Sequence, residues 1–360
     1  MKINNKHFKT IWYDKNTDKV NIIDQSKLPH FFEILNIDTL DGIINAIKTM
    51  QVRGAPLIGG AAAYGVCLAI KENPKDATLQ NAAQLLIRAR PTAVNLEHSV
   101  HRMVNAIKDL SENERYEKAL FEAQAICDED ISHCKKIGVY GKKIIEDYIE
   151  LNDSETINIL THCNAGWLAT IDWGTATSPI YHAFLEGKKI HVWVDETRPR
   201  NQGSSLTAYE LTQEGVPNTI IADNTGGMLM QKGMVDMCIT GADRVLINGD
   251  VINKIGTYLK ALSARENNIP FYVALPTTTI DKNNKNLENV IIEERDADEL
   301  THITGIDDKG ELTTINIYPK NSQVLNLAFD LTPAKYITNL ITELGVCNAS
   351  EDAINDLIKK

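Results

Sequence analysis

From residue 156 onward, short apolar runs alternate with helical tracts, and this alternation constrains the fold more than any other feature of the sequence. The runs are "TINIL", "KIHVWV", "NTIIA", "VDMCI" and "PFYVAL", rich in isoleucine and valine. Short apolar runs of this composition, bounded by turn residues, read as strands. Between them, "SSLTAYELTQEG" and "IGTYLKALSARENN" read as helices. Alternation of this kind builds a parallel sheet with crossover helices, so the expected fold class is α/β.

The first 150 residues have a different texture. "FKTIWYD" and "KVNIID" are expected to pair as a hairpin across "KNTD". "LDGIINAIKTM" has helical spacing, with Asp41 in its first turn. Residues 56–150 read mostly as helices. The tract "FEAQAICDEDISHCKKIGVYGKKIIEDYI" is one long helical pattern, with Gly138 as its expected point of interruption. Cys127 and Cys134 lie seven residues apart on one face of it, beside His133. A metal site there is conceivable, but two small apolar residues on a packed stripe is the preferred reading. The domain boundary is expected along this helix. The division drawn is 1–128, mostly helical with a short antiparallel sheet, and 129–360, a parallel-sheet catalytic domain.

The bulk properties exclude several classes. The formal net charge of -11 argues against a dedicated partner of nucleic acid or of an anionic membrane. Local Arg and Lys residues still permit a small anionic substrate. The start, "MKINNKHFKTIWYDK", is polar, so no signal peptide is expected. The most apolar stretch, "LIGGAAAYGVCLAI", is shorter than the roughly 20 residues that span a bilayer. The six cysteines are scattered and no CxxC pair occurs, which fits a cytoplasmic chain without disulfides. No GxGxxG follows a strand, and no Walker, HExxH, zinc or GxSxG pattern occurs. An NAD-dependent enzyme is therefore disfavoured, and neither metal nor redox cofactor is expected.

In an open parallel sheet, ligands bind at the carboxyl ends of the strands. After "TINIL" comes Thr161-His162-Cys163-Asn164, and after "KIHVWV" the polar run Asp195 to Gln202. After "NTIIA" comes Asp223-Asn224-Thr225-Gly226-Gly227, after "VDMCI" Thr240 to Arg244, and after "PFYVAL" Pro276-Thr277. Cys238 lies inside an apolar strand and reads as core. Cys163 lies at a strand end, before an expected helix start at Asn164-Ala165-Gly166. Such a position lowers a thiol pKa and favours a base or nucleophile. A structural cysteine is the plainer alternative. Asp243 is either a turn residue or a carboxyl group aimed into the crevice, where apolar walls would keep it protonated as a general acid.

Three cationic groups stand beside turns. Arg53-Gly54-Ala55 precedes an Ala-rich helical run, whose free amides and forked guanidinium suit an oxyanion. Arg90 precedes Pro91, which stiffens the chain. Lys254 follows Asn253 at an apparent helix start. Each has a plainer reading: a solvated Arg53 before a packed helix, a surface Arg90, an exposed Lys254 in a capping region. Together, in an acidic chain, they suggest a small phosphorylated ligand.

The segments "RGAPLIG", "RPTAVNL", "THCNAG", "VWVDETRPRNQG", "LTAYEL", "IADNTGG", "TGADR" and "NKIGTY" occur in this order between about Arg53 and Asp281. Together they resemble the methylthioribose-1-phosphate isomerase family. That family stands with the regulatory subunits of the translation-initiation guanine-nucleotide exchange complex and with ribose-1,5-bisphosphate isomerase. The resemblance implies a small N-terminal domain, a Rossmann-like C-terminal domain, a homodimer and no cofactor. It implies a phosphorylated pentose substrate, 5-methylthioribose 1-phosphate, isomerised to 5-methylthioribulose 1-phosphate in methionine salvage. It places catalytic roles on Cys163 and Asp243, and substrate binding on Arg53, Gly54, Ala55, Arg90, Gln202, Asn253 and Lys254.

One segment departs from the family pattern. Where relatives usually resemble "GALATAGYGTALG", this chain has "GWLATIDWGTATSPI". Trp167, Asp172 and Trp173 are therefore expected to reshape the pocket near the sugar's 5-substituent, as in a branch that also takes 5-deoxyribose 1-phosphate. In the expected mechanism, neutral Asp243 protonates the ring oxygen and the Cys163 thiolate takes the C2 proton, with a hydride shift as the rival route. The rival functions are a ribose-1,5-bisphosphate isomerase and a non-catalytic exchange-factor-like subunit.

Overall fold

The short strands β1 (Lys2–Ile3) and β2 (Lys6–His7) pair antiparallel ahead of a three-stranded antiparallel sheet of β3 (Ile11–Asp14), β4 (Lys19–Ile23) and β5 (Ile34–Ile37). A computed structural model of the chain describes residues 1–90, 93–285 and 290–359. The expected hairpin is present, with Ile11 opposite Ile22 and Asp14 opposite Lys19. Val20, Ile22 and Ile23 bury against the layers behind.

Five helices follow: α1 (Leu40–Lys48), α2 (Ala55–Glu72), α3 (Asp76–Ala89), α4 (Val94–Ile107) and α5 (Glu112–Asn152). Thr39 caps α1, its hydroxyl accepting the Gly42 N–H at 3.1 Å, and Asp41 lies in the first turn near the positive end of the dipole. Helix α2 is apolar around most of its circumference because it runs through the middle of the first core. Pro91, expected to stiffen the chain after Arg90, lies outside the described residues.

Helix α5 runs unbroken through Gly138, contrary to the expected interruption. The missing side chain serves packing instead. A Cβ there would lie 2.3 Å from His182 Nδ1 on α6 (Ser178–Leu185). Gly138 thus lets α6 lie close against the long helix without breaking it. Cys127 packs into the first core and Cys134 is fully buried, so the two thiols are packing groups. Residues of α5 up to Cys127 belong to the first hydrophobic cluster, and from Ile137 onward to the second.

The remaining strands are β6 (Ile157–Thr161), β7 (Ile190–Asp195), β8 (Asn218–Ile221), β9 (Met237–Thr240), β10 (Arg244–Leu246), β11 (Val251–Lys254), β12 (Phe271–Ala274), β13 (Ile280–Asp281), β14 (His302–Ile306), β15 (Leu312–Asn316), β16 (Phe329–Thr332), β17 (Asn339–Thr342) and β18 (Gly345–Cys347). The remaining helices are α7 (Ala208–Gln213), α8 (Thr225–Gln231), α9 (Thr257–Glu266), α10 (Asp298–Thr301) and α11 (Glu351–Ile358). A seven-stranded sheet has the order β18-β17-β12-β9-β6-β7-β8. All its pairings are parallel except that of β18 at the edge. The five apolar runs are the block β12-β9-β6-β7-β8 of this sheet, which establishes the expected α/β class.

A second sheet, β13-β10-β11-β16, went unread in the sequence. Its strand β11 is the "VINK" that reads as the start of a helix. There it pairs with both β10 and β16, and Gly256 then turns the chain into α9. Lys254 therefore ends a strand, and the helix begins three residues later. Among the described residues, no helix is long and apolar enough to cross a membrane.

Candidate active site

The parallel strands of the main sheet bring their carboxyl ends to one edge, where the polar loops gather. Cys163 follows β6 and Asp243 follows β9, its neighbour in the sheet. Both line one cleft with Arg53, Gly54, Ala55, Arg90, Gln202 and Lys254. Its empty volume, including the mouth, is about 810 Å³. Asn253 lines a contiguous inner recess with Cys163, Asp243 and Arg53. The structure thus brings together every residue singled out as catalytic or substrate-binding. Asn253 Nδ2 donates to Thr257 Oγ1 at 3.0 Å and so braces the turn after Lys254.

The backbone of Cys163 is held at both ends. Its N–H donates to Thr197 Oγ1 at 2.8 Å, and its carbonyl accepts from Thr207 Oγ1 at 2.6 Å. Cys163 has φ +65° and Thr197 φ +64°. Positive φ in a β-branched residue is strained, and such strain collects at functional sites. Here the contacts of Thr197 hold it. Its hydroxyl donates to the Asp195 carbonyl at 3.0 Å, and its N–H donates to Asp223 Oδ1 at 2.7 Å. The loop after β8 thereby fixes the loop after β7, which fixes the thiol.

No α-helix begins at Asn164. A single 3₁₀ turn, Trp167–Ala169, follows instead, so Cys163 lacks the helix N-terminus expected for it. Burial pushes its thiol pKa up, with Arg53 and Lys254 opposing. The thiol, not the thiolate, is the resting form. Burial also pushes the Asp243 carboxyl up against the pull of Lys254, Arg53 and Arg90. That direction matches a protonated general acid.

Arg53 is buried, not solvated. It donates through Nη1 to Asn164 Oδ1 and through Nη2 to the Asn164 carbonyl at 2.8 Å. Burial lowers the pKa of both Arg53 and Lys254, and Cys163 and Asp243 oppose that in each case. Gly54, with φ +96°, ends the loop and starts α2; a Cβ there would lie 2.4 Å from the Ala169 carbonyl oxygen. The α2 N-terminus therefore presents its free amides beside Arg53 at the cleft wall.

Several cleft residues were not singled out in the sequence: Met50, Arg200, Arg244, Arg295 and Phe329. Arg200 lies within the polar run after β7 and Arg244 within the one after β9, and both runs gave a signal. Phe329 carries the Lys254 ammonium 5.2 Å from its ring centre. Trp167, Asp172 and Trp173 do not line the cleft. Trp167 is wholly buried in the second core. Asp172 binds the Met1 amino group at 2.5 Å and His7 at 2.9 Å. Trp173 packs against His182 with the rings tilted by 40° and their centres 4.5 Å apart.

Among the described residues, one His/Asp/Asp grouping has metal-ligand proximity: His162, Asp195 and Asp223. Lys260 Nζ lies 3.0 Å from Asp195 Oδ2 and also donates to the Asp223 carbonyl, so an ammonium holds the cation's place. His162 Nδ1 pairs with Asp195 Oδ2 at 2.8 Å and Nε2 with the Ile255 carbonyl at 2.8 Å. This buried cluster ties the ends of β6 and β7 to the turn carrying Lys254.

Fold and cleft define the class: an α/β protein with a thiol, a carboxyl group, the buried Arg53 and the half-buried Lys254 converging at the strand ends. The Initiation factor 2 subunit family matches residues 51–349. A methylthioribose-1-phosphate isomerase of Escherichia coli O45:K1 is 51% identical, over 99% of this chain and 96% of that protein. A crystal structure of 5-methylthioribose 1-phosphate isomerase from Pyrococcus horikoshii OT3 is 36% identical with a TM-score of 0.84, covering 98% of this chain and 96% of that one. The translation initiation factor eIF-2B subunit delta from A. fulgidus is 40% identical with a TM-score of 0.81, covering 98% and 100%. The chain belongs to the initiation factor 2 subunit family and groups within it with proteins named methylthioribose-1-phosphate isomerase.

Proposed function

We propose that this chain is an aldose–ketose isomerase that converts 5-methylthioribose 1-phosphate to 5-methylthioribulose 1-phosphate, a step of methionine salvage. The observation that carries the reading is Cys163 and Asp243 on one cleft with the buried Arg53 and the half-buried Lys254, the four interacting electrostatically. The full-length likeness to isomerases at about half identity supports it.

The phosphate on the anomeric oxygen blocks ordinary ring opening, so the ring oxygen must be protonated as its bond to C1 breaks. Asp243, held neutral by burial, supplies that proton. Arg53, Arg90, Lys254 and the Gly54–Ala55 amides hold the phosphate, Gln202 bonds a sugar hydroxyl, and Asn253 orients the Lys254 turn. General acid help of this kind contributes ~10²–10⁴-fold in rate.

Hydrogen then moves from C2 to C1 by one of two routes. In the proton route, a Cys163 thiolate takes the C2 proton and returns it to C1 of a phosphorylated enol, whose C2 hydroxyl gives its proton to the Asp243 carboxylate. In the hydride route, C2 hydrogen migrates with its electron pair to the C1 cation. The C2 hydroxyl then loses its proton to the Asp243 carboxylate, which restores the acid. The raised thiol pKa favours the hydride route, which needs no thiolate. Deuterium at C2 distinguishes them: retention at C1 supports migration, and washout into water supports abstraction.

A panel of 5-methylthio-, 5-deoxy- and 5-phosphoribose 1-phosphates tests the function itself. Turnover of the methylthio sugar is the expected result; binding without turnover of any sugar would favour an exchange-factor-like subunit. The division into domains 1–128 and 129–360 and the homodimer belong to this proposal. The change of core along α5 supports the first, and family resemblance the second. Limited proteolysis and sedimentation velocity test them.

A further inference from the structure

The cleft holds more cations than one phosphate needs, and they form two sets. Arg53 and Lys254 flank Cys163 and Asp243, and among the described residues neither makes an ion pair. Arg90, Arg200, Arg244 and Arg295 line the same cleft, each paired with a carboxylate: Arg244 with Asp281 at 3.1 Å, and the other three with two glutamates that leave one positive charge over. Glu293 takes Arg90 Nη2 at 3.2 Å and Arg295 Nη1 at 2.7 Å. Glu299 takes Arg295 Nη2 at 2.5 Å and Arg200 Nη1 at 3.0 Å. We propose that Glu293 and Glu299 are specificity determinants that exclude a second phosphate from the 5-position of the sugar. This rests on the isomerase reading above.

In the pose that reading requires, the 1-phosphate lies at Arg53, Arg90, Lys254 and the start of α2 and C1–C2 between Cys163 and Asp243, with the C5 end toward Arg200 and Arg295 of the same cleft. A neutral 5-substituent needs no cation there. A 5-phosphate would meet the Glu299 carboxylate, which fills the Nε–Nη2 fork of Arg295 and takes Arg200 Nη1, and the Glu293 carboxylate, which takes Arg295 Nη1 and Arg90 Nη2. Guanidinium forks bind phosphate and carboxylate with the same paired geometry, so a fork filled by one is closed to the other. Specificity of this kind comes from repulsion of the wrong ligand, not only from attraction of the right one. Glu299 is suited to it. Burial pushes its carboxyl up, but Arg295 and Arg200 outweigh that and hold it below its ordinary range, so it is charged at neutral pH.

The test compares wild type with the double variant Glu293→Gln/Glu299→Gln on 5-methylthioribose 1-phosphate and ribose 1,5-bisphosphate. The expected result is a rise of roughly tenfold or more in the kcat/KM ratio favouring the bisphosphate, with a matching gain in its affinity by calorimetry. If the double variant fails to fold, the single Glu299→Gln is expected to show the same direction, and Glu299→Asp to keep the exclusion. Equal bisphosphate affinity in wild type and folded variants overturns the proposal. No turnover of either sugar by wild type overturns the isomerase reading instead, and the binding comparison then decides this one alone.

Discussion

Cys163 Sγ donates a hydrogen bond to Gln202 Oε1 at 3.4 Å. A thiol donates and a thiolate does not, so this contact and the burial of the sulfur describe the same protonated state. The strongest opposing charge is Arg53, followed by Lys254. Alkylation of Cys163 by iodoacetamide is therefore expected to be slow at neutral pH, with a midpoint above the ordinary ~8.5 of a free thiol. Arg53→Gln is expected to move that midpoint higher still. Peptide mapping follows this sulfur separately from the partly exposed Cys347. A midpoint at or below the ordinary value would restore the thiolate and the proton route.

Asp243 predicts the alkaline limb of the rate profile. Its carboxyl is raised by burial and must carry a proton to act, so kcat/KM falls as pH rises through its folded pKa. Asp243→Asn is expected to lose ~10²–10⁴-fold of activity. Lys254→Met removes the largest charge opposing burial, so the limb of its residual activity shifts to higher pH. A limb unmoved by that change would assign it to another group.

The five strands and the polar runs after them were legible because each strand is locally apolar and each end locally polar. That alone puts Cys163 and Asp243 on one edge, since parallel strands share one ligand edge, while their catalytic roles come from the family resemblance. What stayed hidden depends on contacts distant in sequence. Arg90 and Glu293 are about 200 residues apart, and nothing local marks them as partners. Val251–Lys254 is too short and too mixed to announce a strand, and its two neighbours decide its state. The departure from the family pattern puts Trp167, Asp172 and Trp173 near the pocket, but the turn after Gly166 carries Trp167 and Trp173 into the second core and Asp172 to Met1 and His7, away from the cleft.

Gly54 predicts a sharp loss from one methyl group. Its φ of +96° is costly for alanine, and the added Cβ would meet the Ala169 backbone, which cannot yield as a flexible side chain would. Gly54→Ala is expected to cost about 1–3 kcal/mol of stability, read from urea midpoints, and to reduce activity further by displacing the α2 amides. Unchanged stability together with full turnover would show that the loop tolerates a side chain there and that those amides do not set the phosphate position.

Glu210 links the site to stability. Its Oε2 accepts the Leu168 N–H at 3.1 Å, and its Oε1 accepts Asn164 Nδ2 at 3.2 Å, beside the Asn164 oxygens that take Arg53. Burial pushes its carboxyl from an ordinary 4.5 up to about 8, against the Leu168 amide, Arg53 and Asn164. The folded pKa lies above the unfolded one, so the unfolded chain gives up this proton first as pH rises. Stability from this group is complete below about pH 4.5 and is lost toward about pH 8, at up to roughly 1.4 kcal/mol per pH unit. Glu210→Gln keeps a neutral group and removes that slope. Asp130, pushed up to about 7, contributes a loss of the same sign that both proteins share. The difference between their urea midpoints from pH 5 to 8.5 therefore isolates Glu210. Parallel losses in the two proteins would mean that the folded chain already carries an ionised Glu210, with Arg53 as its counter-charge.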